Sequence, residues 1–137
     1  MRRRDFIAAL GAAATMCSPP VRPQATSTPN APLVGFLNSA SPTTYRFNAD
    51  AFREGLAQAG FVEGRNVRIE ERWANGDYNA LPALAKELRA KGVTVMAPTG
   101  DVASARAAQS ASATIPVVFT IGGDPVRFRL VTSFNRP

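Results

Sequence analysis

An α/β fold built on an open parallel sheet is the architecture this sequence predicts, and three observations carry it. Apolar runs of strand length alternate with segments whose apolar residues recur at helical spacing. The links between successive runs are long enough for right-handed crossovers. Glycines stand where helices should end, at Gly60 and Gly92. The expected order is βαβαβαβα, with parallel strands covered by helices on both faces.

The first run, Leu33-Val34-Gly35-Phe36-Leu37, suits a strand buried on both faces. A polar loop, Asn38-Ser39-Ala40-Ser41-Pro42, ends in helix-start chemistry. Across 44–59, Phe47, Ala51, Phe52, Leu56 and Ala59 recur at helical spacing, and Gly60 supplies a left-handed cap. Over 67–73, Val67, Ile69, Glu71 and Trp73 alternate with Arg68, Glu70 and Arg72, the pattern of a strand near a sheet edge. Asn75-Gly76 has hairpin-turn chemistry, but the helical segment after it makes it a loop. A second helix is expected over 78–91 with Tyr78, Leu81, Leu84, Ala85 and Leu88 on one face. Residues 93–97 form the third strand, 102–113 an Ala/Ser-rich helix, and 115–121 the fourth strand. Asp124 as N-cap and Pro125 at the first helical position then open a last helix, with Val126, Leu130 and Phe134 facing inward. A sheet built this far leaves one apolar edge unpaired. The chain therefore reads as unfinished, with self-association through that edge as one consequence.

Charge and composition narrow the function. The 137 residues carry a formal charge of +6, with one Cys and no His. Residues 1–25 hold four arginines against one aspartate, so half of that charge belongs to the amino end. There Arg2-Arg3-Arg4 precedes an apolar run of about twelve residues, too short to span a bilayer and suited to an export signal. Arg3-Arg4-Asp5-Phe6-Ile7 is similar to a twin-arginine signal. Cys17 follows Met16, a poor fit to lipid attachment, and reads as part of the apolar run. The expected organisation is an export signal at 1–25, a linker at 26–32, and an incomplete α/β lobe at 33–137. The 12 basic and 9 acidic residues after the signal are scattered, which argues against a nucleic-acid groove. Without histidine the commonest general base and metal ligand are missing. A lone cysteine allows no intrachain disulfide and no thiolate zinc cluster. The reading is a non-enzymatic protein with neither cofactor nor metal.

Ligands of open parallel sheets gather beyond the carboxyl ends of the strands, where helix N-termini present free N–H groups. Three loops fall there: 38–42, 98–101 and 122–125. All are small and polar and suit a carboxylate or a hydroxyl-bearing molecule. Taken singly, Ser39, Ser41 and Thr99 are ordinary turn and cap residues, and Asp101 and Asp124 are helix caps first. Gly122-Gly123 lacks the spacing of a dinucleotide fingerprint. Trp73 and Tyr78 read as packing residues rather than stacking surfaces.

Five segments carry a resemblance. They are Met1 to Ile7, Gly35-Phe36-Leu37-Asn38-Ser39-Ala40-Ser41-Pro42, Val62-Glu63-Gly64-Arg65-Asn66-Val67, Arg72-Trp73-Ala74 to Leu84, and Ile115 to Val126. In order and spacing the chain resembles the ABC transporter substrate-binding family that includes tryptophan-binding-protein-like components. The resemblance implies a type I periplasmic-binding-protein fold, in which two α/β lobes close over a small ligand and deliver it to an inner-membrane permease. It implies a periplasmic location and an amino acid or related carboxylate as ligand. It places first-lobe contacts at Asn38, Ser39 and Ala40, at Thr99, Gly100 and Asp101, and at Asp124 and Pro125. Two lobes need about 100–150 residues each, so the chain is expected to stop within the first lobe and offer half a clamp. Two other classes compete. A small flavodoxin-like enzyme needs a glycine-bearing phosphate loop after the first strand, and 38–42 has no glycine. A stand-alone single-lobe interaction module would complete its sheet by dimerising.

Overall fold

A computed structural model of the chain describes residues 29–135. The expected export signal lies outside them, as do residues 26–28 of the linker. Three parallel strands form an open sheet: β1 (Leu33–Asn38), β2 (Arg68–Trp73) and β3 (Val95–Thr99), in the order β2-β1-β3. Three helices alternate with them: α1 (Pro42–Gln58), α2 (Leu81–Ala90, entered through a 3-10 turn at Tyr78–Ala80) and α3 (Val102–Ala111). β1 lies in the middle because its run is apolar throughout, and Val34 to Asn38 are buried. β2 takes the edge, as its alternating charges require.

The two sheet faces are covered differently. On one, Leu37 and Met96 pack under Leu81, Ala85 and Leu88 of α2 and Ala107, Ala108 and Ala111 of α3. Small residues on α3 let it approach closely. On the other, Val34, Val67 and Ala97 meet Phe52 of α1. Phe36 is fully buried there, with ring centroids 5.5 Å from Phe52 and 5.4 Å from Trp73. The packing stripe of α1 is Ala49, Phe52 and Leu56, at spacings of three and four. Phe47 and Ala51, expected inside, face out, and Phe47 is 64% exposed.

The fourth strand and last helix of the expected order do not form as regular elements. Residues 115–120 run beside β3 through only two bridges, Met96 with Val117 and Thr99 with Thr120. Met96 N–H donates to Pro116 O, while Val118 N–H donates to Met96 O and Thr120 N–H to Pro98 O. The next rung would need an N–H from Pro98, which has none, so the ladder breaks there. This segment still lies along the β3 edge, and that edge gives no support to self-association. Asp124 does cap: its carboxylate accepts from Val126 N–H at 2.9 Å and Arg127 N–H at 3.3 Å. One turn later Arg129 adopts φ +55°, and the helix stops. Val126, Phe128, Val131 and Thr132 are weak helix formers, so nothing propagates the nucleus. Leu130 is buried as expected, whereas Phe134 is 74% exposed.

An ionic cluster ties α1 to the edge strand. Arg53 of α1 donates to Glu63 and Glu71, Arg46 lies 3.4 Å from Glu71, and Trp73 Nε1 donates to Glu71 at 3.0 Å. Burial pushes the Glu71 carboxyl up, but bonds from Trp73 and Arg53 and the charges of Arg53 and Arg46 hold it below its ordinary value. A carboxylate depressed in the folded state stabilises above its unfolded pKa, about 4.3, and loses that contribution as pH falls through the folded value. Thermal unfolding followed by circular dichroism from about pH 6 to about pH 3 should show a shallower acid loss for Glu71→Gln than for the parent. Equal slopes would mean the cluster does not couple to folding.

Candidate functional site

The connectivity creates one special place. From central β1 the chain crosses by α1 to β2 on one side, then returns by α2 to β3 on the other. The loops after β1 and β3 therefore leave neighbouring strands toward opposite faces. This is the switch point at which open sheets bind ligands. A cavity of about 290 Å³ lies there.

Its floor is held by Asn38. This side chain is fully buried at the end of β1, donating from Nδ2 to Thr99 Oγ1 at 2.9 Å and accepting the Ala40 N–H on Oδ1 at 2.8 Å. Asn38 therefore shapes the floor. Ser39 and Ala40 follow it into the cavity wall. A third loop is laced to them: Asn75 N–H donates to Ala40 O and Gly76 N–H to Ser39 O at 2.8 Å. Asn75 and Gly76 have φ values of +53° and +85°, and Asp77 N–H closes the turn onto Ala74 O. Two successive left-handed residues are the type I′ condition, met here outside any hairpin.

The opposite wall is Gly100 and Asp101. Gly100 has φ +108°, and a Cβ there would lie 3.3 Å from Asn38 Nδ2 and 3.5 Å from Ser39 Oγ. Glycine is needed for both conformation and approach. Asp101 caps α3, its Oδ1 accepting from Ser104 N–H at 2.8 Å and Ser104 Oγ at 2.9 Å. Burial raises its pKa, but hydrogen bonds from Ser39, from the Ser104 backbone and hydroxyl, and from Tyr78 outweigh that and hold it below the ordinary aspartate value. Asp101 is thus an anion, and neither Arg nor Lys lines the cavity. At the start of α1, Pro42 has no N–H to offer and Ser41 Oγ already accepts from Thr44 N–H at 3.3 Å. The helix starts therefore present fewer free donors than the sequence suggested.

Tyr45 and Tyr78 form the rim. Tyr78 is 57% exposed, and Tyr45 stacks on Phe47 with centroids 5.5 Å apart. Beyond Thr99 and Gly100 a second depression of about 310 Å³ opens toward Asn48, Phe52 and Thr120. The structure thus gathers Asn38, Ser39, Ala40, Gly100 and Asp101 around one cavity and puts Thr99 between the two. Asp124 and Pro125 line neither. Tyr45, Gly76 and Tyr78 are the members that sequence reasoning missed. The Asn75-Gly76 pair was the available signal for Gly76, because its left-handed turn is what folds that loop back onto Ser39. Among the described residues no group of His, Cys, Asp and Glu could hold a metal, and no helix is long and apolar enough to cross a membrane.

Residues 41–137 match the family model described as ABC transporter substrate binding protein. Among solved structures, the chain is similar to a conserved domain protein from Vibrio cholerae, at 25% identity and TM-score 0.68 over 75% of this chain and 34% of that one. It is similar at 23% identity and TM-score 0.70 to an ABC domain in complex with L-Trp from Streptococcus pneumoniae, over 78% of this chain and 36% of that one. A ligand-free, open substrate-binding protein with adhesive properties from Clostridium difficile aligns at 23% identity and TM-score 0.67, over 75% and 35% of the two chains. The chain spans about a third of the length of these structures. No curated protein matches it in sequence.

Proposed function

The chain belongs to the ABC transporter substrate-binding protein family, and from that premise we propose that it binds a small amino-acid-type ligand for delivery to an inner-membrane permease. The observation that carries this reading is the cavity at the switch point between β1 and β3, where three loops meet and polar groups stand beside exposed aromatic rings. The L-Trp complex of the Streptococcus neighbour favours an amino acid, an aromatic one included. Ser39, Ala40, Gly100 and Asp101 are assigned to the ligand wall, with Tyr45 and Tyr78 as its apolar rim. Asn38 and Thr99 hold that wall in place from beneath. Asp124 and Pro125 are assigned to shaping the loop after Thr120, since they line neither cavity. In the two-lobe arrangement that the family resemblance implies, these residues form one side of a clamp. Residues 1–25 are read as the signal that takes the protein to the periplasm.

A thermal-shift screen of the purified protein against the twenty amino acids and simple carboxylates tests the ligand class. At about 100 times Kd a ligand stabilises by about 2.7 kcal/mol, which moves the midpoint by several degrees. An upward shift with one or a few amino acids is expected, and no shift with any of them would defeat the assignment.

A further inference from the structure

The second depression adjoins the first cavity, since Gly100 lines both. Its lining is uncharged: Asn48, Ala51 and Phe52 of α1, Thr99 and Gly100 at the end of β3, and Thr120. Asn48 and Phe52 stand one turn apart on α1, at i and i+4, so their side chains share a face. Thr99 and Thr120 are bridge partners, and the Thr120 N–H holds that register by donating to Pro98 O at 3.2 Å.

The polar groups of this lining are uncommitted. Asn38 decides the case of Thr99: its Oδ1 accepts the Ala40 N–H, so its Nδ2 is the donor to Thr99 Oγ1. The Thr99 hydroxyl therefore keeps its hydrogen and one lone pair to offer. Among the described residues, the Asn48 side chain and the Thr120 hydroxyl have no hydrogen-bond partner. Asn48 also sits inside a helix, where asparagine is a weak former, and its side chain makes no backbone bond that would account for it there.

We propose that this depression is a second chamber of the ligand site, taking a neutral carboxamide end of the ligand, with Asn48, Thr99 and Thr120 as its hydrogen-bonding contacts. The inference rests on the reading of the adjoining cavity as the ligand site, and it adds the group by which the ligand is selected. A carboxamide both donates and accepts, as Asn48 does, so the two can pair reciprocally while Thr99 and Thr120 serve the remaining positions. Phe52 and Ala51 offer apolar surface to the methylene stem behind it. A carboxylate of the same shape finds no lysine or arginine in the chamber, and Asp101 follows the shared glycine. Leaving water without a counter-charge is costly. An alkyl end would take water from three polar side chains and pair none of them.

The test titrates the 15N-labelled protein at neutral pH with glutamine and glutamate, and with acetamide and acetate as the bare end groups, at equal ionic strength. Glutamine should shift the Asn48 side-chain amide and the Thr120 backbone amide together with Ser39 and Gly76, and should bind about tenfold or more tighter than glutamate. Acetamide should shift Asn48 and Thr120, and acetate should leave them in place. Asn48→Leu removes the reciprocal partner and puts a better helix former in its place. It should weaken glutamine about 3- to 10-fold without lowering the melting temperature, and Thr120→Val should act in the same direction. Acetate shifting Asn48 as far as acetamide does, acetamide shifting nothing, or both variants keeping the parent affinity would each overturn the proposal. Two outcomes separate it from the reading beneath it. If glutamine shifts Ser39 and Gly76 but not Asn48, the ligand site stands and the second chamber falls. If acetamide binds at Asn48 while no amino acid shifts any signal, the chamber stands and the amino-acid function falls.

Discussion

Replacing Phe36 by alanine is expected to lower the free energy of unfolding by about 3–5 kcal/mol, the largest loss of any single substitution considered. The ring is fully buried on the central strand, between Phe52 of α1 and Trp73 of β2. On that face α1 brings few buried residues of its own, Ala49 being the one fully enclosed. Removing the ring deletes apolar contact on three elements at once and leaves a void that a parallel sheet cannot collapse to fill. Native domains have only about 5–15 kcal/mol to lose. Urea unfolding gives the number directly, and Phe36→Leu, which keeps most of the volume, should recover more than half of the loss. A loss near 1 kcal/mol for Phe36→Ala would show that α1 does not depend on this contact.

Gly100→Ala should have the largest effect on the site for its size. At φ +108° a side chain is strained whatever the surrounding space, and such backbone costs about 1–3 kcal/mol. The added methyl also meets Asn38 Nδ2 at 3.3 Å and Ser39 Oγ at 3.5 Å. Asn38 is anchored on Thr99 and Ala40, so the substitution strains the floor and pushes on the wall that carries Ser39. Ligand affinity should fall about tenfold or more, beyond what the modest stability loss explains. Gly55→Ala is the matched control: nothing lies within 4 Å of that position, and no left-handed backbone is required there. Calorimetric titration of both variants with whichever amino acid stabilises the parent checks this. Equal affinities for the two variants would remove Gly100 from the site.

Much of the architecture was legible because its signals are local. The apolar run 33–37, the alternation 67–73 and the glycines after α1 and α2 each act within a few residues. β2 was placed at the edge by its charges, and the helices did fall on both faces. Part of what failed depended on partners distant in sequence. The fourth strand has the right residues, but whether it forms a ladder is set by Pro98 on its neighbour, read from sequence as part of a loop. The inward face of α1 was misjudged because Phe47 is apolar yet turns outward and stacks on Tyr45. Asp124 was read correctly as a cap. A cap only nucleates, and the valines, Phe128 and the left-handed Arg129 after it do not continue the turn.

The site was half legible for a similar reason. Topology alone sent attention to three loops, 38–42, 98–101 and 122–125, and the cavity lies between the first two while the third lines no part of it. The loop that completes it comes from beyond β2, through the Asn75-Gly76 turn and its bonds to Ser39 and Ala40. Tyr78 became a rim residue only through that closure. Ser41 and Asp101, both read from the sequence as cap residues, do cap α1 and α3, which leaves fewer free donors at those helix starts.

The most direct test of the account is a crystal structure of the protein grown with the amino acid that stabilises it most. The account predicts ligand density in the cavity between β1 and β3, against Ser39, Gly100 and Tyr78. Density seated instead in the depression around Gln109 and Leu130 would contradict it, whatever the affinity measured in solution.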